Sequence, residues 1–480
     1  MSSYSVTQVN RFISLLLGSA FLLVGCGSES DVQSSKDPLR SELGFVPPSP
    51  QQPGDAKAGY EALVNKAYIT CGIPYSVYKK TAPPVSPSDL LPGRTGRNAE
   101  LPYRFNAYST PDGVELVVGN CLTCHAAHFN GQLVIGLGNE SVDFTEDRSE
   151  SIESSGVYVN GEAEAREWRK WADRMEAIGP YIKPDTIGLN PAINITWALF
   201  AHRDPKTLQW SNKPVIEPPS KEVLPVSTPP WWRMKKKNSM FYPSGGRGDH
   251  ARLMFIATSL CTDTVAEATE LVNRYGRDIR AYIASLKPPT YPFSIDRQLA
   301  ENGRPVFEAN CARCHGTYGE PATYPNLTIG VEEVGTDPAL AREGVNGGQD
   351  RFLEWFARSV YGKGAQLAPA PGYVAPPLDG VWATSPYLHN GSVPSIAVLL
   401  DSPNRPQYWT RTFDSNDYNP ETLGWNYTEL SYGKAGAKNK EERKRVYDTT
   451  LPGHSNQGHT FGDALNENER RALIEYLKTL

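Results

Sequence analysis

Two pentapeptides constrain this chain more than anything else in it: Cys121-Leu-Thr-Cys-His125 and Cys311-Ala-Arg-Cys-His315. In each, two thiols stand one short turn apart and an imidazole follows at once. Thiols at that spacing can add across the two vinyl groups of one porphyrin, and the next residue then lies beneath the metal as its proximal ligand. Cys-x-x-Cys alone also suits zinc or a redox dithiol. Zinc would need partner ligands from distant segments and has no use for a His directly after each pair. The pattern therefore predicts two covalently attached haem c groups. Cys121, Cys124, Cys311 and Cys314 form the thioethers, and His125 and His315 bind the irons.

The chain has seven Cys, so three remain. Cys26 ends the stretch Leu23-Val24-Gly25-Cys26, after Arg11 and an apolar run from Phe12 to Leu23. That run is too short to span a bilayer, which takes about 20 residues. It reads as an export signal over 1–25, with Cys26 as a lipidated residue after cleavage. Gly27 rather than Asp follows, which favours sorting to the outer membrane. The expectation is a periplasm-facing or outer-membrane lipoprotein of a Gram-negative bacterium, touching membrane only through its N-terminal lipid. In an oxidising compartment the leftover pair, Cys71 and Cys261, suits a disulfide; two inert buried thiols are the alternative.

The predicted organisation is a Ser/Pro/Gly-rich tether over 26–57, an N-terminal haem domain over 58–290, and a C-terminal cytochrome c domain over 291–480. Lys287-Pro-Pro-Thr-Tyr-Pro292 marks the boundary. Asp55, Asp249 and Thr264 look like helix N-caps, and 161–178 reads as a helix. An amphipathic helix with Leu299, Gly303 and Phe307 runs into the second pentapeptide. A terminal helix carries Leu473, Ile474, Tyr476 and Leu477 as its apolar stripe. A Gly-bearing helix before the haem motif and a terminal helix crossing it resemble class I cytochrome c. The predicted fold class is mainly α, with long loops and a large insertion in the C-terminal domain. The net charge of −5 gives no field for nucleic acid. The basic run Arg233-Met-Lys-Lys-Lys237 reads as a solvated face, with partner docking as the alternative.

The ligand on the other side of each iron decides function. The five Met are Met1, Met175, Met234, Met240 and Met254, so none comes from the second domain. Its local candidates are His389, His454 and His459. The first iron has His202, His250 and Met254 as candidates; His128 sits three residues after His125 on the same expected helix, on the proximal side.

The string Trp382-Ala-Thr-Ser-Pro-Tyr-Leu-His-Asn-Gly-Ser-Val-Pro394 resembles the late signature of rubber-oxygenase-like di-haem cytochromes, distant relatives of bacterial di-haem peroxidases. "HSNQGHTFG" before the last helix resembles that family's C-terminal region. The likeness covers roughly 290–480. In the first domain it is confined mainly to the haem motif and Pro229-Pro-Trp-Trp232. It implies that His389 ligates the second iron opposite His315; a surface-loop His bonded to backbone is the alternative. His454 and His459, flanked by Gly and polar residues, read as a loop bonded to a propionate or to backbone. The likeness also implies an open first haem that meets dioxygen, with the second as relay. Trp231 and Trp232 then either lie between the haems or stack in the core. Polymer cleavage needs an apolar channel that no sequence displays, so rubber is not carried over as substrate. Two functions stand: an oxygen- or peroxide-reactive oxidoreductase, or an electron carrier with both irons six-coordinate that serves a redox partner protein. A module of a larger respiratory complex is a third.

Overall fold

The computed structural model describes residues 43–480. The expected signal peptide, Cys26 and the first part of the tether lie outside the described residues.

Asp55 accepts hydrogen bonds from the N–H groups of Lys57 and Ala58 and so opens α1, Ala56–Asn65. α1 lies across α2, Arg277–Ser285. The contact falls at Gly59, where an added Cβ would come 1.9 Å from the carbonyl oxygen of Asp278. The second half repeats the device. Asp296 caps α3, Arg297–Asn310, and a reciprocal Asn466/Glu469 capping box opens α4, Glu467–Leu477. These two cross at Gly303, where a Cβ would meet the Ala472 carbonyl oxygen at 2.0 Å. Buried Phe307 and Tyr476 pack beside it with ring centroids 5.3 Å apart. Asp249 and Thr264 cap helices as their sequence suggests, and the helix over 161–178 is present.

Strand content overturns the mainly-α expectation. Helix covers 40% and strand 12% of the described residues, with the strands spread over several small sheets, so the fold is mixed α/β. The strands run only two to five residues, too short to display a period-2 pattern against loop composition. They form where the chain reverses sharply. Asn130 (φ 48°) and Gly131 (φ 73°) turn Ala126–Phe129 back onto Gln132–Ile135, the backbone of a primed hairpin turn. His128 therefore sits on a strand, not on a helix shared with His125. Its Nε2 lies 3.2 Å from the Ser88 carbonyl.

The described residues, 43–480, fall in one compact unit, and the two halves share their apolar cores. One apolar core joins Leu63, Leu122 and Trp231 to Phe352, Trp355 and Tyr361 from the second half. Another joins Phe129 and Trp232 to Phe307, Trp382 and Tyr476. The large insertion of the second half thus builds the first core: Trp355 stacks on Phe200 at 3.7 Å and donates its indole N–H to the Arg203 carbonyl. Strand Gly246–Gly248 pairs with Ala365–Leu367 across the same divide. Cys71 and Cys261 are joined by a disulfide, linking positions 190 residues apart. Among the described residues, no helix is long and apolar enough to cross a membrane.

Candidate haem sites

The second site is built at the end of α3. The chain turns at Cys311 into the short helix Ala312–His315, so α3 aims the pentapeptide directly. Gly316 (φ 80°) then reverses the chain. His315 donates its Nδ1–H to the carbonyl of Pro376 at 2.8 Å. That bond fixes the tautomer and leaves Nε2 with a free lone pair, the arrangement of a ligating imidazole. Burial holds the His315 pKa below its ordinary value even with that carbonyl beside it.

The imidazole facing His315 belongs to His459, with ring centroids 6.2 Å apart. An iron between two axial imidazoles separates their centroids by about 6 Å, from two metal–nitrogen bonds of about 2 Å and the ring radii. His459 is placed by its backbone. Its φ is 47°, and its N–H donates to the Val334 carbonyl at 2.7 Å. A Cβ on the preceding Gly458 would fall 2.0 Å from the Gly335 carbonyl carbon. Arg405 then ties the loop down, donating to the carbonyls of Asn456, Gly458 and His459 at 2.5, 2.7 and 3.0 Å. Burial presses the His459 pKa down to about 4, so the ring stays neutral and able to ligate, and its Nδ1 has no partner among the described residues. Sequence reading held His459 among the candidates but read it as a bonded loop residue, and it passed over Arg405. The signal available was the Gly immediately before the His, a position where the backbone needs φ near 74°.

His389, the residue singled out by resemblance, sits elsewhere in its surroundings. Its ring stacks on Tyr373 at 4.1 Å and meets Tyr242 edge-on. Its carbonyl accepts from Ser227 N–H. Burial drives its pKa down to about 3. His454 is satisfied by the Pro452 carbonyl and Asp185, in keeping with a structural loop residue.

The first site is assembled from farther apart. Asn120 caps the turn by accepting from Leu122 N–H at 2.9 Å, and Cys121 N–H donates to the Tyr68 hydroxyl. Asn139 closes the other end, donating from its backbone to the Cys124 carbonyl and from its amide to the Thr123 carbonyl. Gly136 N–H donates to the His125 carbonyl, and Trp231 N–H donates to the Gly136 carbonyl. This ladder lays Trp231 against His125, ring centroids 4.8 Å apart and nearly parallel. His125 Nδ1 faces the Pro229 carbonyl without completing a hydrogen bond. Burial lowers its pKa to about 4.

Among the described residues His125 has no second imidazole within ring contact. His202 is occupied by the Ser211 carbonyl and stacked on Trp210. Met254 packs against the first core. His250 is buried, with Nε2 lacking a partner among the described residues.

None of the four motif cysteines takes part in a disulfide. Burial pushes Cys124 up to about 12 and Cys311 up to about 11. No three His, Cys, Asp or Glu side chains converge as a metal cluster among the described residues. The donor set suits thioether attachment of haem c, with an imidazole from each motif beneath the iron.

Residues 372–410 match a family model described as RoxA-like, cytochrome c-like. The match holds both Pro376, which orients His315, and His389. The chain is thus similar to RoxA-like cytochromes c, and covalently bound haem c follows from that likeness. Two curated relatives are uncharacterized proteins of Sinorhizobium fredii. One, y4iJ, is 32% identical over 47% of this chain and 46% of its own length. The other, y4iM, is 28% identical over 41% of this chain and 52% of its own. The chain spans about half the length of the curated relatives it matches.

Proposed function

We propose that this chain is an exported di-haem cytochrome in which the second site relays electrons and the first reacts with dioxygen or peroxide. The observation that supports this division is the asymmetry of the two pentapeptides. His315 faces His459 at 6.2 Å, whereas His125 is backed by Trp231. A haem held on both sides exchanges electrons, and one with a free face also binds a small oxidant.

The residues of the chain set the stage for both. Trp231 braces His125 and belongs to the first core, while Trp232 belongs to the second. The Trp232 indole N–H and Arg233 Nε both donate to the Asp379 carbonyl, at 2.8 and 3.0 Å. Asp379 lies three residues beyond Pro376, the acceptor of His315. A run of adjacent aromatic and hydrogen-bonded groups therefore joins the two proximal imidazoles, and it suits electron passage. Export as a periplasm-facing lipoprotein through Cys26, and a soluble redox protein or small oxidant as partner, belong to the same proposal.

The carrier reading, with both irons six-coordinate, is favoured by one observation: the unpartnered, buried Nε2 of His250. Optical and EPR spectra of the purified protein, oxidised and reduced, with and without carbon monoxide, separate the two. One high-spin, CO-binding haem beside one low-spin haem supports the division of labour. Two low-spin haems indifferent to CO assign the chain as a carrier and direct attention to His250.

A further inference from the structure

One recess has neither pentapeptide nor any candidate axial ligand in its lining. It encloses about 310 Å³, is open at its mouth, and lies between segments 186–189 and 409–413. Arg411 lines it and is only 8% exposed. Its Nη2 donates to the Glu140 carbonyl. Its Nη1 is buried and has no partner among the described residues. Two carboxylates bear on this guanidinium, Glu140 and Asp417, and both are turned to other donors. Glu140 accepts from the Ser227 hydroxyl at 2.8 Å and the Thr228 N–H at 3.0 Å. Burial also raises its carboxyl to about 7, so it is partly protonated at neutral pH. Asp417 accepts from the Thr412 hydroxyl and the Asn426 amide. Aromatic faces hold the Arg411 guanidinium instead, Phe413 at 4.3 Å and Trp425 at 4.8 Å. Phe413 takes a φ of 62°, a region that a bulky side chain seldom adopts. A second cation, the exposed Arg445, stands over the same ring at 5.5 Å.

A buried guanidinium with an unused donor is costly, and such a group is kept where an acceptor arrives. The other side-chain hydrogen-bond donors of the wall are spent. The Thr186 hydroxyl donates to Asp185, the Trp409 indole N–H to the Ser392 carbonyl, and the Tyr447 hydroxyl to the Asn390 carbonyl. Leu189, Pro386 and Phe413 add apolar surface. Phosphate or sulfate needs several donors to replace its water, and this wall has one buried charged donor to offer. A single carboxylate with a small apolar remainder matches it better. We propose that the recess binds a small monocarboxylate, of acetate or propionate size, with its charge on Arg411 and its apolar end against the wall. Arg445 draws the anion to the mouth. The site stands one residue from the first haem turn, because Glu140 follows Asn139, which bonds the Cys124 and Thr123 carbonyls.

The test uses the full-length haem-loaded protein. Acetate and propionate are titrated and followed by saturation-transfer NMR of their C–H protons, with nitrate and phosphate added as competitors. One saturable site per chain is expected, with propionate bound at least as well as acetate and phosphate displacing either poorly. R411M should weaken binding about tenfold or more, and R411K less. Should R411M fail to fold, R445E decides, since Arg445 is exposed; reversing the charge at the mouth should weaken binding several-fold. The proposal is overturned by the lack of a saturable carboxylate signal, or by phosphate displacing the carboxylates at concentrations equal to theirs. It is overturned equally by binding that R411M leaves unchanged or, where that variant does not fold, that R445E leaves unchanged.

Discussion

The two halves of the molecule start from the same parts and arrive at different sites. Each owns a pair of helices crossing at a glycine, Gly59 against Asp278 and Gly303 against Ala472, and each owns one Cys-x-x-Cys-His turn. In the second half the crossing helix runs straight into the haem turn, so helix and ligand form one rigid body. In the first, α1 ends at Asn65 and the turn begins at Cys121. A short helix and a three-stranded sheet fill the gap, and the proximal imidazole is braced by Trp231 from another hundred residues on. The difference teaches that the pentapeptide specifies attachment alone. What lies across the iron depends on loops that only long-range packing places.

The largest expected effect separates attachment from everything else. Replacing Cys311 and Cys314 by Ser should lower covalent haem from about two per chain to about one, and so should replacing Cys121 and Cys124. A haem-staining gel with mass spectrometry reads this directly. Equal loss of both haems from either pair would mean that the sites mature together, and the comparison would break.

Next comes the ligand across the second iron. His459→Ala should convert the low-spin signal to high-spin and raise CO uptake by about one per chain. His389→Ala should leave the spin state intact. The reverse pattern, with His389→Ala producing the high-spin form, restores the ligand that resemblance favoured and removes His459.

The disulfide belongs to the first half alone. Replacing Cys71 and Cys261 by Ala should cost about 2–5 kcal/mol in denaturant unfolding, because the loop it closes is long. Haem content should stay unchanged. The crossings should respond alike: Gly59→Ala and Gly303→Ala each force a methyl into a facing backbone and should cost about 1–3 kcal/mol. A loss confined to one would show that only that half depends on its crossing.

A pH-dependent effect concerns Glu140, which follows the Asn139 clamp of the first site and is tied to the second half by Arg411, a donor to its carbonyl. Burial raises the Glu140 carboxyl from 4.5 to about 7, against the hydrogen bonds from Ser227 and Thr228. The folded form therefore holds its proton while the unfolded chain has already released it. Stability is full below about pH 4.5, falls as pH rises, and settles above pH 7, a loss on the order of 3 kcal/mol. Glu140→Gln should flatten this slope in denaturation curves taken at pH 5 and pH 8. An unchanged slope would place the titration elsewhere.

The sequence by itself determined the chemistry that is local in the chain. Thiol spacing and the adjoining imidazole define two attachment turns within five residues each, and helix caps at Asp55, Asp249, Asp296 and Asn466 follow from side-chain bonds to N–H groups two or three positions on. The crossing at Gly303 was legible because helix and motif are contiguous. The matching crossing at Gly59 was not, because its partner lies more than two hundred residues away. Tertiary structure alone decided the rest. It joined the two halves by sending Phe352 and Trp355 into the first core, and it made strands of segments too short to carry a period. It buried Arg233 in a run that reads as surface, and it turned His459 rather than His389 toward His315. Each of these depends on which distant backbone comes within hydrogen-bond or van der Waals reach, and no neighbouring residue in the sequence encodes that distance.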